Sequence, residues 1–275
     1  MKNLFLFFSI ALALVACAPS ALVPCTTNAP GPEKRHDGHV SMQGNLGHVE
    51  LQSSYSPVEH FGLCFNSYLT LFRKSNDKGT DQWQASAGYY LIKNKCGFDI
   101  YGGFGSGIRS RSGDYGVFPD GENASCSVID SRYKALMIQS DIYSSWKNNL
   151  QEVFSAQFNR FFFNDFDYTN IQNKYHGQEM DHHYRLERMS QDLLVLSMTY
   201  KIRFKTRFSF FIQPGAWICF PFLDEVEGSN PGTYLSDHTG FLNHTVSRPF
   251  LYSGFIYHFH PKEVVKKRRL ETNSR

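Results

Sequence analysis

After its first sixteen residues the chain has no apolar run approaching about 18 residues, so no membrane-spanning helix is expected there. It also lacks a dominant charge. Lys and Arg number 28 against 25 Asp and Glu, a formal net charge of +3. Such a balance gives no strong pull toward nucleic acid, which is therefore not an expected partner. Cysteine is scarce, at six residues. Setting Cys17 aside leaves Cys25, Cys64, Cys96, Cys126 and Cys219. An odd set cannot pair completely, and its spacing fits no zinc pattern. No disulfide is assigned, although an oxidising compartment would permit one. Cys64, Cys96 and Cys219 fall in strand-like runs and read as small packed residues. No stretch carries the 3.6-residue apolar period of a long helix. Aromatic residues, in contrast, are abundant: 16%, with 25 Phe and 15 Tyr.

The N-terminus reads as a signal. Lys2 precedes the uncharged apolar run LFLFFSIALALVA (Leu4 to Ala16), which is too short to span a bilayer comfortably. The run ends in Leu14-Val15-Ala16-Cys17, which resembles the bacterial lipobox. The resemblance implies cleavage between Ala16 and Cys17, and lipid attachment at Cys17. Several acyl chains make a stable anchor, since each buried methylene contributes about 0.8 kcal/mol. An ordinary secretory signal cut near Ala16 or Ala18, or an uncleaved anchor, are the alternatives. Ala18, rather than Asp, follows Cys17, which by resemblance to sorting rules points to the outer membrane.

From residue 38 the sequence alternates with period two. In Leu193–Phe204, Leu194, Leu196, Met198, Tyr200 and Ile202 share one face, and Val195, Ser197, Thr199, Lys201 and Arg203 the other. Arg207–Phe220, Tyr133–Tyr143 and Gln151–Phe163 repeat the pattern, with Pro214 tolerable at a bulge. About ten strands emerge, near 38–45, 48–56, 60–72, 82–93, 96–109, 132–146, 150–164, 192–204, 206–220 and 246–259. The segment Asn170–Gln191 is the least regular and leaves room for a short helix. The connections at Tyr55–His60, Lys93–Lys95, Lys147–Asn149 and Lys205 are short, and those near 110–131, 165–191 and 221–245 are long and polar. From the second strand onward short and long connections alternate, with Asn45-Leu46-Gly47 short where a long one would fit, and this puts tight turns at one end of a meander and long loops at the other. That is the layout of an outer-membrane barrel, with short turns on the periplasmic side. Tyr89, Tyr90, Tyr143, Trp146 and Tyr257 fall near strand ends, where amphipathic rings suit a membrane interface. The expected fold is all-β, an antiparallel up-and-down β-barrel of about ten strands, in the range of roughly 8–12.

The alternating strands, the Leu14–Cys17 motif and the end of the chain together resemble the outer-membrane β-barrel-like lipoproteins of Gram-negative bacteria. The stretches that carry the likeness are EKRHDGHVSMQGNLGHVELQSSYSPVEHFGLCFN (Glu33 to Asn66) and FLYSGFIYHF (Phe250 to Phe259). The likeness is one of pattern and brings no catalytic residues. Such barrels end on an aromatic residue read by the insertion machinery, whereas here HPKEVVKKRRLETNSR follows Phe259. The implied partners are outer-membrane lipid and the insertion and lipoprotein-sorting machinery. The implied location is the outer membrane, lipid-anchored, with both termini on the periplasmic side.

Sites of chemistry are weak in the sequence. His36-Asp37-Gly38-His39 and Asp181-His182-His183 offer metal-ligand types at unrecognised spacings, and read as solvated polar loops. The glycine-rich Cys96–Gly113 lies in a strand pattern rather than at a strand-to-helix turn, so it is no phosphate loop. Asn123 and Asn243 sit in glycosylation-type triplets that a bacterial signal makes irrelevant. Lys266–Arg269 reads as a solvated basic tail. Gln139, Asp141, Gln157, Asn159, Lys201, Arg203, Arg207 and Gln213 are candidates for a polar interior, plugged in preference to open. No catalytic residue, metal or cofactor is expected, and the ligand is unknown. The expected organisation is a signal at 1–16, a lipid-anchored linker at 17–37, a barrel at 38–260 and a basic tail at 261–275. The expected role is structural, binding or narrow-pore, without enzymatic activity. One alternative is a lipocalin-like periplasmic barrel holding a small apolar ligand. Another is a lipid-modifying barrel enzyme using Ser236, Asp237 and His238.

Overall fold

The computed structural model describes residues 25–28, 35–45, 48–71, 79–93, 96–115, 125–144, 149–175, 178–186, 189–205, 207–222 and 246–259. The strands are β1 (Gly38–Asn45), β2 (His48–Val58), β3 (Phe61–Thr70), β4 (Gly79–Lys93), β5 (Cys96–Tyr115) and β6 (Ser125–Ser144). They continue with β7 (Leu150–Tyr175), β8 (Gln178–Leu186), β9 (Met189–Lys205), β10 (Phe208–Phe222) and β11 (Val246–Phe259). Each pairs antiparallel with its chain neighbour, except that β7 bonds both β8 and β9, and β1 closes the ring against β11. The upper length of β7 pairs β8 (Phe166 with Leu186) and the lower length pairs β9 (Leu150 with Ile202). β8 and β9 therefore fill one position in succession, and the molecule is a closed barrel of ten antiparallel strands. Among the described residues there is no helix.

β1 begins and β11 ends at the same end of the barrel, where Gly38 faces Phe259. The short connections after β2, β4, β6 and β9 lie at this end. Two of them contain left-handed residues, His60 at φ 66° and Asn149 at φ 65°. The His60 turn docks on β4, since Tyr90 N donates to His60 O at 3.0 Å. The connections after β1, β3, β5, β7 and β10 lie at the opposite, long-loop end. Two regions expected to be loops are partly strand. β5 and β6 pair out to Tyr115 and Ser125, and β7 with β8 forms a tall hairpin through 166–186 in place of the short helix that Asn170–Gln191 allowed.

Alternation sorts the side chains. Leu136, Ile138 and Ile142 of β6 face outward, and Ala135, Met137, Gln139 and Asp141 are buried inside. Phe154, Phe158 and Phe162 of β7 face outward, and Ser155, Gln157 and Asn159 inside. The exterior also carries Leu51, Leu63, Phe65, Ile100, Phe104, Ile202, Phe255 and others, all well exposed. A soluble monomer rarely exposes an apolar patch beyond a few hundred Å². On β7 the outward stretch free of charge runs between Glu152 and Arg160, a span of about 20 Å for a strand tilted by about 40°, with Leu150 and Phe162 outward beyond it. That approaches the apolar band of an outer-membrane barrel. Trp83 and Phe104, 5.7 Å apart and edge to face, lie toward the long-loop side of the belt. Tyr55, Tyr89 and Tyr257 edge it at the other side. Tyr90 and Tyr143, expected at the interface, instead point into the lumen. Trp146 lies outside the described residues.

A lipocalin-like barrel needs the reverse arrangement, with an apolar interior. The interior here is lined by Gln, Ser, Asn, Asp and Lys, so that alternative is corrected. Arg207 is also corrected: it lies exposed in the turn before β10, not inside. The glycines of β5 have a packing cause. A Cβ on Gly97 would overlap the Tyr143 ring, and one on Gly107 would press on the Tyr133 ring and hydroxyl. Inward tyrosines of β6 thus lie across bare β5 backbone, which lets the wall coil tightly.

Candidate functional site

The polar lumen is the site that the fold builds. Inward positions supply Gln43, Gln52, Gln82, Gln84, Gln139, Gln151, Gln157 and Gln213, all buried. Glutamine suits this place because one amide both donates and accepts without carrying charge. Gln157 Nε2 donates to Asn159 Oδ1 at 2.8 Å and to Gln84 Oε1 at 3.3 Å, linking β7 to β4 across the lumen.

The centre of the lumen is occupied by the chain itself. Cys25, Thr26, Thr27 and Asn28 are 0–2% exposed, although they fall within the segment expected to be a linker. Thr26, Thr27 and Asn28 are each held by a different part of the wall. Thr26 N donates to Glu50 Oε1 at 3.0 Å, and its hydroxyl donates to Glu50 Oε2 at 2.8 Å. Gln52 Nε2 donates to Thr26 Oγ1 at 2.7 Å, and Gln43 Nε2 donates to the same oxygen. The Thr27 hydroxyl meets Ser197 Oγ at 2.5 Å, and Gln213 Nε2 donates to Thr27 O at 3.0 Å and Oγ1 at 2.8 Å. Asn28 Nδ2 donates to Ser53 O and Asn66 Oδ1, each at 3.0 Å, and Gln139 Nε2 donates to Asn28 O. The strap is thereby tied to β1, β2, β3, β6, β9 and β10. Buried amides and hydroxyls need such partners, because an unpaired one costs about 1–3 kcal/mol.

Titratable groups of both signs line the lumen, among them Glu50 on β2 and Arg109 on β5, both buried. Asp99 of β5 and Asp141 of β6 stand opposite each other in register, both fully buried. Lys201 of β9 is buried within electrostatic range of both carboxyls. His39 of β1 and His258 of β11, ring centroids 6.1 Å apart, add imidazoles, with Lys201 in electrostatic range of His39. His39 Nδ1 meets Ser54 Oγ at 2.8 Å, and His258 Nε2 meets Ser209 Oγ at 2.9 Å.

Other sequence candidates do not assemble. His36 meets Tyr55 OH at 3.0 Å on the rim, whereas His39 is in the lumen, so the two share no ligand geometry. Among the described residues no group of three or more His, Cys, Asp or Glu could hold a metal ion. Asp181, His182 and His183 lie on β8, one strand of the tall hairpin. Ala16, Cys17, Asn123, Ser236, Asp237, His238, Asn243 and Lys266–Arg269 lie outside the described residues. Cys25, Cys64 and Cys96 are free thiols, of which only Cys96 is exposed, and Cys219 is buried. The strap had no sequence signal, since Thr26-Thr27-Asn28 has neither period nor motif.

No family model matches this chain, and no curated protein does. Solved structures with a similar fold include the outer membrane protease OmpT from Escherichia coli, at 9% identity and TM-score 0.46, covering 85% of this chain and 99% of that one. The CymD monoaromatic hydrocarbon channel is similar at 7% identity and TM-score 0.26, covering 83% of this chain and 90% of that one. The toluene transporter TbuX of Ralstonia pickettii is similar at 9% identity and TM-score 0.24, with the same coverage. The expectation that the chain is not an enzyme is corrected by the first of these, because a protease is among the similar barrels. None of these likenesses assigns a chemistry to this chain.

Proposed function

We propose that the protein is a lipid-anchored outer-membrane barrel with a narrow polar conduit, closed by its own N-terminal strap. The observation that carries this reading is the burial of Thr26–Asn28 at the lumen centre, bonded to six strands. An apolar exterior around a glutamine-rich interior supports a membrane setting, because lipid covers the first and the strap fills the second. The wall charges Asp99, Asp141 and Lys201 would bias small polar or charged solutes once the strap moved aside. Lipid attachment at Cys17 rests on the Leu14–Cys17 motif. The short-turn end would face the periplasm, as in barrels of this architecture.

The test compares the full chain with a variant lacking residues 24–31 in planar bilayers. Both must shift on boiling in a denaturing gel, which reports a folded barrel. The proposal expects the full chain to be nearly silent and the deletion to show steady, low conductance. A folded deletion variant as silent as the full chain would sink the conduit. Palmitate incorporation that persists in Cys17→Ser would sink the anchor.

A further inference from the structure

The strap has a direction. On β1 and β2, Asn28 engages His39 and Ser53, near the short-turn end. Thr26 engages Gln43 and Glu50, which lie nearer the β1–β2 connection at the long-loop end. The two sets are cross-strand neighbours: Val40 pairs Ser53, and Gln43 pairs Glu50. Moving from Asn28 back to Thr26 is therefore a climb toward the long loops. Cys25 continues it, within electrostatic range of Glu50, Tyr133 and Tyr252. After the strap, the chain reaches the opposite end, where His36 N donates to Ser56 O and β1 begins. The chain thus crosses the lumen downward once, then climbs the wall as β1.

Resting on the anchored-barrel reading above, we infer that the chain ahead of the strap enters the lumen from the long-loop end, so that acylated Cys17 sits at the outer face of the membrane. The rim is low at this point. Gln43 lies only two residues before Asn45, where β1 ends, whereas β7 continues to Tyr175 on the far wall. Cys17 precedes Cys25 by eight residues, a reach of at most about 27 Å. That length exceeds the two residues that separate Gln43 from the end of β1 at Asn45. β11 finishes at the opposite, short-turn end. The inference differs from the sequence-based expectation, which put both termini on the periplasmic side. The lipid and the strap would act together: acyl chains held in the outer leaflet keep the strap from being drawn through the lumen.

The experiment places one short epitope in the full chain at three separate sites, expressed in a Gram-negative host. The sites are between Ser20 and Ala21, at Asn94 in the β4–β5 turn, and after Pro231 between β10 and β11. Antibody binding is measured on intact and on permeabilised cells. The inference expects the residue-20 and residue-231 epitopes to bind on intact cells, and the residue-94 epitope only after permeabilisation. A residue-20 epitope hidden on intact cells while the residue-231 epitope binds would overturn it. Binding of the residue-94 epitope on intact cells, with the other two hidden, would also overturn the surface placement. Palmitate labelling and the boiling shift of each variant report separately on the anchored barrel, so its failure is told apart from failure of the threading direction.

Discussion

Replacing Glu50 with alanine should loosen the strap selectively. The carboxylate accepts from Thr26 N at 3.0 Å, the Thr26 hydroxyl at 2.8 Å, Gln43 Nε2 at 2.8 Å and Gln52 Nε2 at 3.2 Å. The first two bonds belong to the strap itself. Hydrogen bonds contribute about 0.5–1.5 kcal/mol each to a neutral acceptor and about 1.5–3 kcal/mol to a charged one, and bonds sharing one acceptor do not add fully. Water entering the vacated space would recover part of the loss. A net change of about 2–3 kcal/mol follows, or roughly 30–150-fold in the ratio of seated to unseated strap. Cys25 supplies the readout, because its thiol is fully buried beside Glu50. Its alkylation by a water-soluble maleimide, followed peptide by peptide in mass spectrometry, tracks strap opening. Cys96 is exposed and gives the unprotected rate in the same sample. Glu50→Ala should speed Cys25 labelling by a factor in that range and leave the boiling shift intact. Cys25 that reacts as fast as Cys96 in the unaltered protein, or at one rate with and without Glu50, would refute the reasoning.

Three further outcomes follow from the wall. Ile138→Arg puts a charge on the lipid-facing side of β6 and should cost about 2–4 kcal/mol in urea unfolding from vesicles, whereas Lys134→Leu, nearer the long-loop end of that strand, should cost little. Gly97→Val should abolish the boiling shift by striking the Tyr143 ring, and adding Tyr143→Ala should restore it in part. Asp192→Ala removes the two-pronged contact from Arg160, at 2.7 and 2.8 Å, and should cost no more than about 1 kcal/mol in the same unfolding assay, because the pair is partly exposed.

The barrel wall is legible in the sequence because an apolar exterior and polar packing inside impose opposite demands on successive residues. Ile138 and Gln139 carry that contrast without help from the rest of the chain. The hairpin of β7 and β8 is not legible. Asp167, Thr169 and Asn170 pair across it beyond the belt, where the apolar contrast that marks a strand fades. Tyr90 and Tyr143 mislead because aromatic residues suit a membrane interface and glycine-backed lumen packing equally well. The strap is hidden for a different reason. Thr27 binds Ser197 and Gln213, 170 and 186 residues away, and no local pattern encodes a partner at such separation. Three short polar residues beside prolines look the same in a linker and in a plug.

The most direct test of the strapped lumen is a cross-link. Thr27 Oγ1 and Ser197 Oγ are 2.5 Å apart, so thiols in place of these two hydroxyls have sulfurs within reach of a bond. The double variant Thr27→Cys, Ser197→Cys is made with the other cysteines except Cys17 changed to serine, extracted from membranes and mapped by mass spectrometry. A disulfide should form between positions 27 and 197 in the folded protein, without cross-linking in either single variant. A folded barrel in which the thiol at position 27 stays reduced, and is modified by an impermeant maleimide as readily as a surface thiol, would contradict it.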